Sequence, residues 1–151
     1  MTDPSSVIGR ELPSFSAIPE RGQLAFFAQV LGQTDPTYFD LDAAHAAGYP
    51  DLPVPPTFLF TLELRRPDPR GILTELGIDM RSVLHGEQEF SYSSMAFAGQ
   101  KLDFTGKYVD YYEKKGGAMR FLVRQTEVSR DGEPIAVLKN VLISRQMELT
   151  S

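Results

Sequence analysis

Hydrophobic positions in the first half of the chain follow helical spacing. Apolar residues recur every three to four positions over residues 20–31, and the run ends at Gly32. Because residues three and four apart share one face of a helix, this spacing predicts an amphipathic helix. A shorter helix is predicted over residues 41–47, with Gly48 as its C-terminal glycine. We expect residues 33–51 as a whole to cover the core as a flap.

Residues 56–66 break this pattern, because their apolar side chains would point in every direction around a helix. The segment reads Pro-Thr-Phe-Leu-Phe-Thr-Leu-Glu-Leu-Arg-Arg and is followed by Pro67. A helix that is apolar nearly all round is stable only when it is buried. We therefore predict a buried central helix here, with proline at its first turn.

After Leu84 the spacing of apolar residues changes from helical to alternating. Residues 102–108 alternate between apolar and polar, and residues 135–143 form a long, mainly apolar run. Gly116-Gly117 and Asp131-Gly132 stand where tight turns would join neighbouring strands. The pattern predicts about four long strands in a mainly antiparallel sheet wrapped around the central helix. The predicted fold class is α+β.

Composition and charge exclude several kinds of partner. Of the 151 residues, 42% are hydrophobic and 23% are charged, which is typical of one globular domain, predicted to span residues 1–151. The net charge of -5 argues against nucleic acid and anionic membranes, which are bound through clustered Lys and Arg. No apolar run approaches the roughly 20 residues of a membrane span, and no leader pattern opens the chain. A cytoplasmic location is expected.

The chain has no cysteine and only two histidines, His45 and His85. Disulfides, thiolate metal sites and a cysteine nucleophile are therefore excluded, and no metal site is predicted. The sequence also lacks a phosphate-cradling glycine loop and a dinucleotide fingerprint. No bound cofactor is predicted.

Six blocks of sequence, in this order and spacing, carry a family resemblance. They read Gly-Gln-Thr-Asp-Pro-Thr-Tyr-Phe-Asp at residues 32–40, Ala-Ala-His-Ala-Ala-Gly-Tyr at 43–49, Val-Pro-Pro-Thr-Phe at 54–58, Leu-His-Gly-Glu-Gln-Glu-Phe at 84–90, Gly-Gly-Ala-Met at 116–119 and Asp-Gly-Glu at 131–133. Together they resemble the N-terminal-type, FAS1-like domain of the MaoC-like dehydratase and hydratase superfamily. The resemblance implies a hot-dog fold, in which a curved antiparallel sheet wraps around a central buried helix.

Members of this superfamily add water reversibly to trans-2-enoyl thioesters, a lyase reaction of fatty acid metabolism. In active members, a Gly-Asp-x-Asn-Pro-Leu-His pattern supplies an Asp and a His for proton transfer, while backbone N–H groups stabilise charge on the thioester carbonyl. The resemblance thus implies an acyl thioester as ligand, carried on coenzyme A or acyl carrier protein, with no further cofactor.

The chain departs from the family pattern at both catalytic positions. Gln33 occupies the Asp position and Tyr38 the His position. Gln33 cannot ionise, and Tyr38, with an ordinary pKa of about 10, is a poor base near neutrality. The catalytic candidates are these two residues together with Asp40 and His85. For Tyr38 the alternative is an ordinary packed tyrosine, and for His85 it is a structural tie between its strand and the central helix.

Five further residues are candidates for substrate binding. Thr57 and Phe58 follow Pro56 at the start of the central helix, where free N–H groups and the helix dipole favour a thioester oxygen; alternatively, Thr57 only caps the helix. Tyr49 would line the mouth of an acyl tunnel or pack within the flap. Gly86 allows the backbone to approach the tunnel or a dimer interface closely.

Three functions are compatible with these observations. In the first, the chain is the substrate-holding subunit of an (R)-specific enoyl-thioester hydratase or 3-hydroxyacyl dehydratase, and a partner hot-dog chain carries the Asp/His pair. In the second, it is a self-sufficient hydratase with reassigned catalytic residues. In the third, it binds acyl-CoA without converting it. All three share one fold. A homodimer or heterodimer is expected, because edge strands need cover and this superfamily joins two sheets.

Overall fold

A computed structural model describes residues 3–146 of the chain, which contain four α-helices and five β-strands. The helices are α1 (Arg21–Val30), α2 (Leu41–Ala46), α3 (Phe58–Glu63) and α4 (Gly71–Glu75), and the strands are β1 (Phe15–Ala17), β2 (Val83–Tyr92), β3 (Leu102–Lys114), β4 (Met119–Arg130) and β5 (Glu133–Arg145). No helix in this range is long and apolar enough to cross a membrane.

The five strands form one sheet in the order β1-β3-β4-β5-β2, and every neighbouring pair is antiparallel. The turn between β4 and β5 places Asp131 and Gly132 at φ values of 49° and 78°, the left-handed conformation that a tight hairpin requires. The four predicted long strands and the predicted turns are therefore confirmed. β1 was not predicted, because three residues are too short for a recognisable alternation.

Three shifts in register interrupt the pairing of the long strands. They lie between His85 and Glu87 in β2, between Tyr108 and Asp110 in β3, and between Val128 and Ser129 in β4. A bulge adds an unpaired residue and increases the local bend of its strand, which helps a sheet to curve around a helix. Gly86 lies at the β2 bulge, where a Cβ atom would collide with the side chain of Ile143.

The predicted central helix is present as α3, but it is shorter than residues 56–66. Its N-terminal side is limited by two prolines that lack N–H groups, and its C-terminal side by Pro67, which disfavours helical backbone at the residue before it. Apolar side chains from α3 and the strands pack together in the main core. The largest of them are Phe58, Leu59, Leu62, Leu102, Phe104 and Leu138.

The predicted first helix is confirmed as α1, with Leu24 and Ala28 buried on its inner face. Leu31 was expected on the same face, but it is 58% exposed. The chain leaves the helix at this residue and turns at Gly32, whose φ is 75°. The helix therefore ends at Val30, one residue before Leu31.

A second cluster of buried residues lies around α4. Ile72 and Leu73 of this helix pack with Tyr108 of β3 and Leu122 of β4. α4 was not predicted from the sequence, because a helix of five residues spans little more than one turn and has no measurable period.

Candidate functional site

The flap holds Tyr38 between two capped turns. Asp35 accepts a hydrogen bond from the backbone N–H two residues on, at 3.0 Å, and so begins the single 3₁₀ turn Pro36–Tyr38. Asp40 caps α2 in the same way, also at 3.0 Å. Both carboxylates therefore satisfy backbone N–H groups at helix starts. Their effect is to fix the backbone on either side of Tyr38.

Tyr38 borders a pocket beside the N-terminal end of α3. The pocket has a volume of about 320 Å³. The flap, the segment before α3, α3 itself and the segment after β2 form its walls. The lining residues are Tyr38, Val54, Pro56, Leu59, Tyr92, Ser93, Ser94, Met95 and Ala96. We call this cavity the Tyr38 pocket.

Backbone hydrogen bonds fix the far wall of the Tyr38 pocket. The N–H groups of Ser93 and Ser94 both donate to the carbonyl of Ile135, at 2.8 and 3.2 Å. The N–H of Val54 donates to the carbonyl of Ala96 at 2.9 Å. The segment after β2 is thus tied both to β5 and to the chain that enters α3.

Two phenol groups are the polar features of the pocket. Burial raises the pKa of Tyr92 to about 12, and the Tyr92 hydroxyl donates a hydrogen bond to the carbonyl of Pro56. The pKa of Tyr38 is also raised, first by burial and then by the nearby Asp35 and Tyr49. Both phenols are therefore protonated near neutral pH. They can donate hydrogen bonds but cannot act as bases.

The remaining walls of the pocket are apolar or carry only a hydroxyl. Among its lining residues in the described part of the chain, none has a carboxylate, an imidazole or an ammonium group. Such a cavity can hold a hydrocarbon chain and can offer a hydrogen bond to an oxygen atom at its edge. Its own side chains supply no group for general base catalysis near neutrality.

The other two flap candidates for catalysis lie outside the pocket lining. Gln33 is exposed, and its side-chain oxygen accepts hydrogen bonds from the N–H groups of Thr34 and Asp35 at 2.9 and 3.1 Å. Asp40 is exposed as the cap of α2. Of the three flap candidates, the structure therefore brings only Tyr38 to the pocket.

His85 lies on β2 and borders a different cavity. Its ring centroid is 4.8 Å from that of Phe60 in α3, and its Nε2 atom is 2.8 Å from Nδ2 of Asn140. His85 thus links β2 to the central helix and to β5. It does not meet Tyr38 in one site, and neither does its neighbour Gly86.

Only some of the candidates for substrate binding line the Tyr38 pocket. Pro56 lines the Tyr38 pocket, whereas Phe58 is buried and meets Phe27 edge to face with ring centroids 5.1 Å apart. Tyr49 packs against Phe97 at 5.4 Å and does not line the pocket. Thr57 precedes α3, but its side chain forms no capping hydrogen bond.

The pocket wall formed by Tyr92 and the four residues after it was not predicted from the sequence. The available signal was a polar run, Ser-Tyr-Ser-Ser, at the end of a strand, which indicates a turn but not its neighbours. Contacts between residues distant in the sequence bring this run to α3, among them the pairing of β2 with β5, the bond from Val54 to Ala96 and the bond from Tyr92 to Pro56.

A curved antiparallel sheet wrapped around a buried helix is the hot-dog fold. The (3R)-hydroxyacyl-ACP dehydratase HadBC complex of Mycobacterium tuberculosis, truncated at its C terminus, is similar with a TM-score of 0.77 and 23% identity, over 95% of this chain and 98% of that one. A MaoC-like dehydratase has a TM-score of 0.81 with 16% identity, over 94% of this chain and 43% of that one. The ChsH1-ChsH2 complex of the same bacterium has a TM-score of 0.71 with 16% identity, over 90% and 89% of the two chains. These similarities confirm the predicted hot-dog fold.

The chain belongs to the family described as the FAS1-like dehydratase domain region, which matches residues 6–138. It is 36% identical over 141 residues to a UPF0336 protein of Saccharopolyspora erythraea, covering 93% of this chain and 90% of that protein. It is 30% identical over 144 residues to a UPF0336 protein of Streptomyces coelicolor, covering 95% of each. The predicted resemblance to the MaoC-like superfamily is confirmed.

Proposed function

We propose that this chain is the acyl-thioester-binding subunit of an (R)-specific enoyl-thioester hydratase or 3-hydroxyacyl-thioester dehydratase, and that a second hot-dog chain supplies the Asp/His pair. The chemistry of the Tyr38 pocket carries the proposal. The pocket suits an acyl chain, but none of its lining residues within the described part of the chain removes a proton near neutral pH. Addition or loss of water next to a thioester needs such a group.

The walls of the Tyr38 pocket support an acyl ligand. Val54, Leu59 and Met95 offer hydrocarbon surface, and the pocket volume of about 320 Å³ lies at the lower end of the range of small-molecule sites. The Tyr38 hydroxyl is protonated and can donate a hydrogen bond to the thioester carbonyl. In this role Tyr38 positions the substrate and transfers no proton.

The open edge of the sheet supports a hot-dog partner. Within residues 3–146, β2 pairs with β5 on one side and with no strand on the other. A long edge strand is a template for a strand from another chain. Because β2 ends at Tyr92, a partner strand along this edge would reach the Tyr38 pocket. The partner could then place its Asp/His pair beside the bound thioester.

The first experiment separates binding from catalysis. The full chain is assayed for hydration of a trans-2-enoyl-CoA alone and after co-expression with a hot-dog chain that carries the Gly-Asp-x-Asn-Pro-Leu-His pattern. We expect the pair to be at least about a hundredfold faster than the chain alone, since each acid–base group contributes at least that factor. Strong turnover by the chain alone would contradict the proposal. Binding without turnover in every combination would favour a module that only holds acyl-CoA.

The second experiment tests the pocket itself with two matched tyrosines of the flap. Tyr38 and Tyr49 are both half-buried, but only Tyr38 lines the pocket. Tyr38→Phe should weaken acyl-CoA binding about two- to tenfold, the effect of one lost hydrogen bond, and Tyr49→Phe should not. Calorimetric titration measures both. Equal effects of the two substitutions would remove Tyr38 from the binding site.

A further inference from the structure

A second cavity lies at the other end of the central helix. It has a volume of about 280 Å³, is open to solvent on one side, and is lined by residues of α3, α4, the segments that flank α4, and strands β2, β4 and β5. Its lining residues are Phe60, Leu64, Arg66, Pro69, Arg70, Leu73, Met80, Val83, His85, Arg124, Asn140 and Leu142. We call it the arginine cavity. It shares no lining residue with the Tyr38 pocket.

A buried cluster of charges forms one side of the arginine cavity. Glu63, at the end of α3, is 1% exposed, and Arg66 and Arg124 are each 7% exposed. Nε of Arg124 donates to Oε1 of Glu63 at 3.0 Å, and Thr126 donates to the same oxygen. Nη2 of Arg66 lies 2.9 Å from it. Two buried guanidinium groups therefore share one carboxylate, which leaves an excess of one positive charge.

The two arginines also carry N–H groups that form no hydrogen bond within residues 3–146. Nη2 of Arg66 is buried and close to Glu63, but its N–H groups do not point at the carboxylate, so the contact is an ion pair without a hydrogen bond. Arg124 bonds to Glu63 through Nε, and within residues 3–146 its Nη groups form no hydrogen bond. Among residues 3–146, the buried Nη2 of Arg66 has no hydrogen bond, and neither do two acceptors nearby, Oε2 of Glu63 and Oδ1 of Asn140. Buried polar groups normally have partners, so the Arg66 donor points to a ligand that accepts hydrogen bonds, whereas the two acceptors do not bear on an anion.

The other lining residues of the arginine cavity indicate the chemical class of the ligand. Among residues 3–146, no carboxylate side chain lines it, and most of its lining is hydrocarbon from residues such as Phe60, Leu73 and Leu142. A guanidinium group matches a carboxylate through two parallel hydrogen bonds. The apolar walls favour a ligand that also has a hydrocarbon part, because burying that part removes apolar surface from water.

We propose that the arginine cavity binds a small aliphatic carboxylate, with its charged group on Arg66 and Arg124 and its hydrocarbon part along the apolar walls. The site is separate from the Tyr38 pocket and does not depend on the function proposed for that pocket. The ligand completes the neutralisation of the buried cluster and supplies acceptors to the unused guanidinium groups.

Ligand binding is tested by calorimetric titration of the full chain with unbranched carboxylates of increasing length. Primary alcohols of matched length and inorganic phosphate are the comparison ligands. We expect the best carboxylate to bind with a dissociation constant of about 1 mM or below, and the matched alcohol to bind at least about tenfold more weakly, because charged hydrogen bonds are lost. Phosphate should also bind more weakly, since it leaves the apolar walls hydrated. Equal affinity for carboxylate and alcohol, or tighter binding of phosphate, would overturn the proposal.

Two methionines provide a matched pair for locating the ligand. Met80 lines the arginine cavity and is 46% exposed, whereas Met95 lines the Tyr38 pocket and is 45% exposed. Met80→Trp should fill the arginine cavity and weaken carboxylate binding at least about tenfold, while Met95→Trp should leave it unchanged. Acyl-CoA binding should be weakened by Met95→Trp and left unchanged by Met80→Trp. The two variants therefore show separately whether the Tyr38 pocket binds acyl-CoA and whether the arginine cavity binds the carboxylate.

The role of the charge is tested with Arg66→Gln. This substitution keeps Arg124 as the partner of Glu63, and it should weaken carboxylate binding about tenfold or more. Thermal unfolding shows whether the variant is folded. If it is not, the decision rests on the two methionine variants, which leave the charged cluster intact. A folded Met80→Trp variant that binds the carboxylate as well as the unmodified chain would overturn the proposal.

Discussion

The two ends of the central helix α3 border cavities of opposite character. At its N-terminal end, the Tyr38 pocket has two phenols, two serines and otherwise apolar walls. At its C-terminal end, the arginine cavity has two buried guanidinium groups that share one carboxylate. The local sequence accounts for the difference, because Pro-Pro-Thr precedes the helix and Glu-Leu-Arg-Arg ends it. A single short helix can thus border a neutral acyl site and a charged site.

The two ends also differ in what holds them together. The Tyr38 pocket depends on backbone hydrogen bonds and apolar packing, which are individually modest and largely independent. The charged cluster depends on the simultaneous presence of all its members, because an isolated buried charge is costly. Substituting one of its side chains is therefore expected to lower the free energy of unfolding more at the arginine cavity than at the Tyr38 pocket.

The largest effect is expected for Glu63. Glu63→Gln leaves Arg66 and Arg124 buried without a counter-charge, and it should lower the free energy of unfolding by about 3–5 kcal/mol. Urea unfolding at pH 7 measures this loss. Glu127, exposed on β4, is the control, and Glu127→Gln should change the free energy by less than about 0.5 kcal/mol. A loss below about 1 kcal/mol for Glu63→Gln would show that water hydrates the two guanidinium groups and that the cluster does not depend on the carboxylate.

The pH dependence of this effect follows from the ionisation of Glu63. Burial raises the pKa of Glu63, but Arg124, Thr126 and Arg66 together outweigh burial and hold it below the ordinary value of 4.5. A lowered pKa in the folded state stabilises the protein above the ordinary value, and this contribution is lost as pH falls through the folded value. The stability difference between the unmodified chain and Glu63→Gln should therefore be constant near neutrality and shrink below about pH 4.5. A difference that stays constant into the acid range would contradict an ionised Glu63.

The elements that could be predicted from sequence are those with enough residues to display a period. The spacing in residues 20–31 and the alternation in residues 102–108 led to α1 and β3, and the all-round apolar segment led to α3. β1 and α4 lack such a period, since they have three and five residues. Their positions depend on contacts with β3 and β4, which are distant in the sequence.

Part of the charged cluster could have been predicted from the sequence around Glu63 and Arg66. A single acid in an otherwise apolar helix, with an arginine three residues later, is a signal for a buried ion pair. Arg124 and Thr126 were harder to place, because alternation along β4 suggests one wet face. In the structure, residues 121–124 are all buried, since β4 is covered on both sides.

The smallest effect is expected at the neutral end of α3, for Tyr92→Phe. This substitution removes the hydrogen bond from the Tyr92 hydroxyl to the carbonyl of Pro56, and the apolar walls of the pocket stay in place. The unfolding free energy should fall by about 0.5–1.5 kcal/mol, the net value of one hydrogen bond, and carboxylate binding in the arginine cavity should not change.

Tyr111 is the control for this prediction. Its hydroxyl donates to a carboxylate oxygen of the exposed Glu113 at 2.7 Å, where water can replace the bond, so Tyr111→Phe should have a smaller effect on stability. Urea unfolding of the two variants, with carboxylate titration of each, measures the comparison. A Tyr92→Phe variant that loses as much stability as Glu63→Gln would mean that the neutral end of α3 is as cooperative as the charged end. The contrast between the two ends would then be wrong, because one missing hydroxyl would have the effect of one missing buried charge.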